Sequence, residues 1–138
     1  MKKYIIDANA LISYVTDRNP DQQERIARVF QEAAKIRGII LCPQNVLTEF
    51  IYVLDKVYGV SKKDIRVMVE DFLAMPGVEL AHPIDIPAVF NFWPEPLADF
   101  GDAIVASLGV LHKGSTILTF DRKFSRILRR LGLAVEKD

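Results

Sequence analysis

A chain of 138 residues, half of them hydrophobic, has the length of one ordinary domain and enough apolar side chains for one core, so a single domain over residues 1–138 is expected. Its 18 basic and 18 acidic residues cancel, which excludes a global field drawing it to nucleic acid or an anionic membrane; a polyanion would have to be held locally. Cys42 stands alone, with only His82 and His112 for company, which excludes an intrachain disulfide, leaves structural zinc short of ligands, and points to the reducing cytosol.

In chain order, "KYIIDA" is a short β-rich run that suits a buried strand ending near Asp7. Asp7 and Asn9 interrupt what would otherwise be a signal-peptide core, and no apolar run approaches the ~20 residues of a membrane span. "NPDQQERIARVFQEAAKIRG" reads as an amphipathic helix, with Asn19 as cap, Pro20 in the first helical position and Gly38 as its stop. "GIILC" is a second strand, "PQNVLTEFIYVLDKVYG" a helix closed by Gly59, and "SKKDIRVMVEDFLAMPG" a helix opened by Ser61 and Asp64 in the manner of a capping box. "VELA" is a third strand; a short helix over Ala88 to Trp93 and a turn through Pro94 and Pro96 follow, with His82 before Pro83 placed in a turn. "GDAIVASLGVLHKG" is a nearly all-apolar, hence buried, helix that makes His112 a core or helix-end residue; "STILTF" is a fourth strand, "DRKFSRILRRLG" an amphipathic helix and "LAVEK" a last strand.

Strands that alternate with helices argue for an α/β chain with a mostly parallel central sheet covered on both faces, an α/β/α sandwich. In such sheets the ligand crevice lies beyond the carboxyl ends of the strands, at a switch in strand order. Asp7 ends the first strand and Asp121 the fourth, so both face the same edge. Glu49 lies among apolar positions of its helix, and Asp99 and Asp102 head the buried helix before the fourth strand. Each acid alone has a plain structural reading: Asp7, Asp99 and Asp121 as caps, Glu49 on a solvated stripe. Together they would repel and raise one another's pKa unless a cation held them, and oxygen ligands without cysteine or histidine favour Mg²⁺ or Mn²⁺.

Four blocks, "YIIDANALI", "LTEFIYVL", "DFGDAIVAS" and "LTFDRKF", resemble in order and spacing the acidic blocks of the PIN-domain nucleases, and the chain's size is similar to that of VapC-type toxins of toxin–antitoxin pairs. The resemblance covers residues 4 to about 124. It implies a PIN-like fold in which Asp7, Glu49, Asp102 and Asp121 bind metal, with Asp99 either a fifth acid or only a cap. It also implies that Asn9 and Thr119 support those acids. The implied activity is Mg²⁺- or Mn²⁺-dependent hydrolysis of RNA by in-line attack of water, the metal doing the work of a general base. The partners it implies are an RNA substrate, a small antitoxin and a second copy of the chain, whose apolar contact the helices between Gln44 and Met75 could supply.

Arg122 and Lys123, beside Asp121, are the cations best placed to touch RNA or a partner, against the plainer reading of a solvated helix face. Trp93, in "VFNFWPEP", either packs beside the sheet or stacks a base. Three other readings stay open: a non-catalytic binding module of the same fold, a housekeeping RNA-processing nuclease, and a phosphatase or phospho-acceptor domain. The dehalogenase-like phosphatases want a second aspartate where Asn9 stands, which counts against the last.

Overall fold

The computed structural model describes residues 2–35, 37–81 and 84–136. Among these, four strands form one parallel sheet in the order β3-β2-β1-β4. The strands are β1 (Lys3–Ile6), β2 (Ile39–Pro43), β3 (Val78–Ala81) and β4 (Thr116–Leu118). Helices α1 (Ala8–Val15) and α2 (Pro20–Lys35) link β1 to β2, while α3 (Gln44–Lys56) and α4 (Lys62–Leu73) link β2 to β3. From β3 the chain returns through α5 (Ile86–Phe90) and α6 (Phe100–Leu111) to β4, and α7 (Arg122–Arg130) follows. The expected α/β/α sandwich is observed, with its sheet wholly parallel.

Burial explains the strand composition. Ile5, Ile6 and Ile40 are fully enclosed and Ile117 and Leu118 nearly so, because helices cover both faces of the central strands. β3, at the edge, leaves Glu79 exposed. The chain builds β2 and β3 on one side of β1 and then crosses to place β4 on the other, so strand order switches between β1 and β4. The crevice is therefore expected above the carboxyl ends of that pair.

One helix is unforeseen and two expectations are corrected. Helix α1 did not emerge from periodicity: Ala8, Ala10, Leu11, Ile12 and Ser13 are all buried, and a helix enclosed on most sides shows no polar stripe. The short helix after β3 starts earlier than expected, at Ile86, because Asp85 caps it through a hydrogen bond from the Ala88 amide. "LAVEK" forms no strand among the described residues; only Val135 bridges Ile117, whose N–H donates to the Ala134 carbonyl and whose carbonyl accepts from Glu136. β4 is only three residues long, so it offers a fifth strand little to pair with. His82 and Pro83 lie outside the described residues. No described helix is long and apolar enough to cross a membrane.

Candidate metal and substrate cleft

Four segments bring their acids to the carboxyl edge of β1 and β4. Asp7, the residue after β1, caps α1: its Oδ1 accepts from the Ala10 amide at 2.8 Å, and its own amide donates to the Leu118 carbonyl of the neighbouring β4 segment. It is only 6% exposed. Asp121 caps α7 by accepting from the Phe124 amide at 3.0 Å. Asp102 stands in the first turn of α6 and Glu49 projects from α3 beyond the buried Val46, Leu47 and Phe50. Asp7, Glu49, Asp102 and Asp121, with Asn9, Arg18, Asn45 and Gly101, line one cleft of about 250 Å³.

The two polar residues named beside the acids tie the ends of β1 and β4 together. Asn9 Oδ1 accepts from the Phe120 amide at 3.0 Å, across 111 residues of sequence. Thr119 is buried; its Oγ1 accepts from the Asp121 amide at 3.1 Å, and its side chain hydrogen-bonds the Asp7 carboxyl. One hydroxyl thus touches both strand-end aspartates.

The electrostatics are unfavourable to the bare acids. Burial, then repulsion from Asp102 and Asp121, pushes the Asp7 carboxyl up to about 7, against the lowering effect of the Thr119 and Ala10 hydrogen bonds. Burial and the charges of Asp99, Asp121 and Glu49 push Asp102 up to about 7 as well. Glu49 is raised by partial burial and by Asp99.

Asp99 lies outside the cleft lining. Its Oδ1 accepts from the Asp102 amide at 2.9 Å, so it caps α6 and sets where Asp102 begins, while its charge reaches Asp102 and Glu49. Gly101 keeps this corner open: a Cβ there would stand 3.1 Å from Asp99 Oδ1 and 3.2 Å from Asn45 Nδ2.

Among the described residues, no three acidic, histidine or cysteine side chains form a ready-made ligand set for an ion. The chemistry of the cleft nevertheless suits a hard cation. It offers four carboxylates that repel one another, and the buried Oδ1 of Asn45 has no hydrogen-bond partner among the described residues.

Arg122 and Lys123 are exposed at the start of α7 and do not line this cleft. Trp93 is occupied within the fold: its Nε1 donates to the Ala98 carbonyl at 3.0 Å, and its ring lies between Phe90 and Phe100. It secures the turn that leads into the α6 cap. The lining residues that sequence reasoning passed over include Arg18, Asn45 and Gly101. Arg18 sits in the "TDRNP" connection, where no periodicity or motif distinguishes it.

A doubly wound parallel sheet with converging carboxylates at its switch point defines an α/β protein with an acidic cleft. The chain matches the PIN domain family over residues 4–129 and belongs to it, which is the family its four acidic blocks resemble. Among solved structures it is similar to a chain of VapBC2 from Rickettsia felis, solved bound to a DNA fragment from its promoter, at 18% identity and a TM-score of 0.71 over 97% of each chain. It is also similar to a chain of VapBC-1 from nontypeable Haemophilus influenzae, at 16% identity and a TM-score of 0.65, covering 98% of this chain and 97% of that one. At such identities the likeness is one of fold. No curated protein matches the chain significantly in sequence.

Proposed function

We propose that this chain is a single-domain, metal-dependent endoribonuclease that hydrolyses RNA phosphodiester bonds as the toxin of a toxin–antitoxin pair. The observation that carries the proposal is the convergence of Asp7, Glu49, Asp102 and Asp121 in one cleft, with Asp7 and Asp102 held up to about 7. A fold that concentrates like charge in this way loses stability unless a cation is part of its working state.

In this reading Asp7, Glu49, Asp102 and Asp121 hold Mg²⁺ or Mn²⁺. The bound ion supplies Lewis acidity, making water nucleophilic near neutral pH and balancing charge on the phosphate. The chain's own work is positional. Thr119 orients Asp7 and the Asp121 backbone, Asn9 locks the segment after β4 to α1, and the Asp99 cap places Asp102. Asp99 acts on the site through this cap and through its charge.

Membership of the PIN family supports the nuclease reading. The VapBC complexes among the similar structures support an antitoxin partner and a toxin's role. Ile51, Tyr52, Val57, Tyr58 and Val67, on or beside α3 and α4, are exposed apolar side chains that a homodimer contact would cover. The compartment in this reading is the cytosol, consistent with a lone, buried Cys42.

The test incubates purified protein with cellular RNA and Mg²⁺ or Mn²⁺, beside Asp7→Asn and Asp102→Asn variants and an EDTA control. Cleavage by the wild type alone, abolished by EDTA, is expected; equal cleavage by all three proteins rejects the site. Growth arrest on induction, absent with Asp102→Asn, separates a toxin from an RNA-processing nuclease of the same chemistry.

A further inference from the structure

We infer that Arg18 is the phosphate-holding residue of the cleft: its guanidinium, anchored on the α1 backbone and on Ser13, grips the nucleic-acid backbone beside the carboxylates. This rests on the nuclease reading above and adds to it the group that brings the polyanion in.

Arg18 is the one cation among the described residues that line the cleft. It makes no ion pair with any described carboxylate, and the shifts on Asp7 and Asp102 arise from burial and from other acids. The side chain is nonetheless fixed. Its Nε donates to Ser13 Oγ at 2.8 Å and its Nη2 to the Asn9 carbonyl at 2.7 Å. Ser13 is fully buried and its hydroxyl donates in turn to Gln22 Oε1 at 2.9 Å. The anchor on Asn9 matters, because the same residue's side chain holds the Phe120 amide beside Asp121.

A guanidinium carries five N–H donors, and these two bonds leave about three of them for a ligand. An exposed arginine held in place by the Asn9 carbonyl and the Ser13 hydroxyl presents its remaining fork without further loss of rotamer freedom, and that fork matches the oxygens of a phosphodiester. The need for such a group follows from charge. The chain is neutral overall and the cleft is acidic, so attraction for a nucleic-acid strand has to come from cations placed locally, and Arg18 is the one the described lining supplies.

The experiment measures binding of a fluorescein-labelled single-stranded RNA by anisotropy in Ca²⁺ across a KCl series, for wild type, Arg18→Ala, Arg18→Gln and Arg18→Lys. Arg18→Gln puts an amide donor where Nε meets Ser13 Oγ but carries no charge, and thermal unfolding establishes that each variant is folded. Arg18→Ala and Arg18→Gln are expected to bind about 5–20-fold more weakly, with the slope of log K against log salt reduced by about 0.7; Arg18→Lys restores the slope. Stabilisation by Mn²⁺ alone stays at its wild-type value, and in a cleavage assay KM rises while kcat changes less. Unchanged affinity and slope in Arg18→Gln overturn the inference. RNA cut with an Arg18-independent slope rejects Arg18 and leaves the nuclease reading standing. RNA bound through Arg18 but not cut does the reverse, and a protein that neither binds nor cuts RNA overturns both.

Discussion

Asp7 accepts the Ala10 amide while burial and the charges of Asp102 and Asp121 raise its carboxyl to about 7. In the metal-free protein the folded state keeps this proton up to about pH 7, whereas the unfolded chain releases it near the ordinary value of 3.8. The folded state therefore holds more protons across that window, and stability declines as pH rises through it, levelling off above. Asp102 contributes with the same sign. Asp7→Asn retains an Oδ1 acceptor for Ala10 and removes the titration, so in EDTA at pH 8 the variant is expected to be more stable than wild type by up to a few kcal/mol. Urea unfolding at pH 5 and pH 8 reads the difference; a wild-type advantage that grows with pH contradicts it. Thr119→Val acts in the opposite sense on the same group: it removes the bond that lowers Asp7 and an acceptor of the Asp121 amide. We expect a loss of about 1–2 kcal/mol and a cleavage pH profile displaced to higher pH, both measurable on the purified variant.

Among elements, α6 shows how one cap serves two ends. Asp99 accepts the Asp102 amide and also repels the Asp102 carboxylate. Asp99→Ala should cost about 1 kcal/mol through the lost cap while lowering the Asp102 pKa. Asp99→Asn should keep most of the stability and show the same pKa change. Thermal unfolding with NMR titration of the Asp102 carboxyl separates the two effects, and equal stability of both variants would mean that the cap contributes nothing. α1 makes the contrasting point about legibility. α2 announced itself through Ile26, Val29, Phe30 and Ala33 on one buried face, because its other face meets water and the period is visible. α1 packs against α2 and α3 with both its apolar residues and Ser13 enclosed, so its sequence carries no such contrast.

For the whole molecule, the cleft couples folding to cation binding. Mg²⁺ or Mn²⁺ is expected to raise the unfolding temperature in a concentration-dependent manner by binding the native state, and Asp102→Asn should abolish the rise; an equal rise in both proteins would place the ion elsewhere. The closing segment has its own share in stability. Removing residues 133–138 strips Ile117 of the partners for its N–H and carbonyl, and removes the partly buried Leu133 and Val135 from the core. A loss of roughly 2 kcal/mol or more is expected, read by urea unfolding.

The parallel α/β arrangement and the placing of Asp7 and Asp121 at strand ends were legible in the chain, because strand runs, caps and stops are local signals written within a few residues. The acidic residues could be named individually for the same reason. What only the tertiary structure decided was how they are held. The switch in strand order between β1 and β4, the Thr119 hydroxyl shared by Asp7 and Asp121, and the Asn9 bond to Phe120 depend on contacts across about a hundred residues, for which no local pattern exists. The same holds for the cations: Arg122 and Lys123 stood next to a cleft acid in sequence, yet the direction of α7 leaves them outside the lining. Arg18, eleven residues beyond Asp7 in an undistinguished connection, reaches the cleft because α1 turns the chain back and its own backbone anchors the guanidinium there.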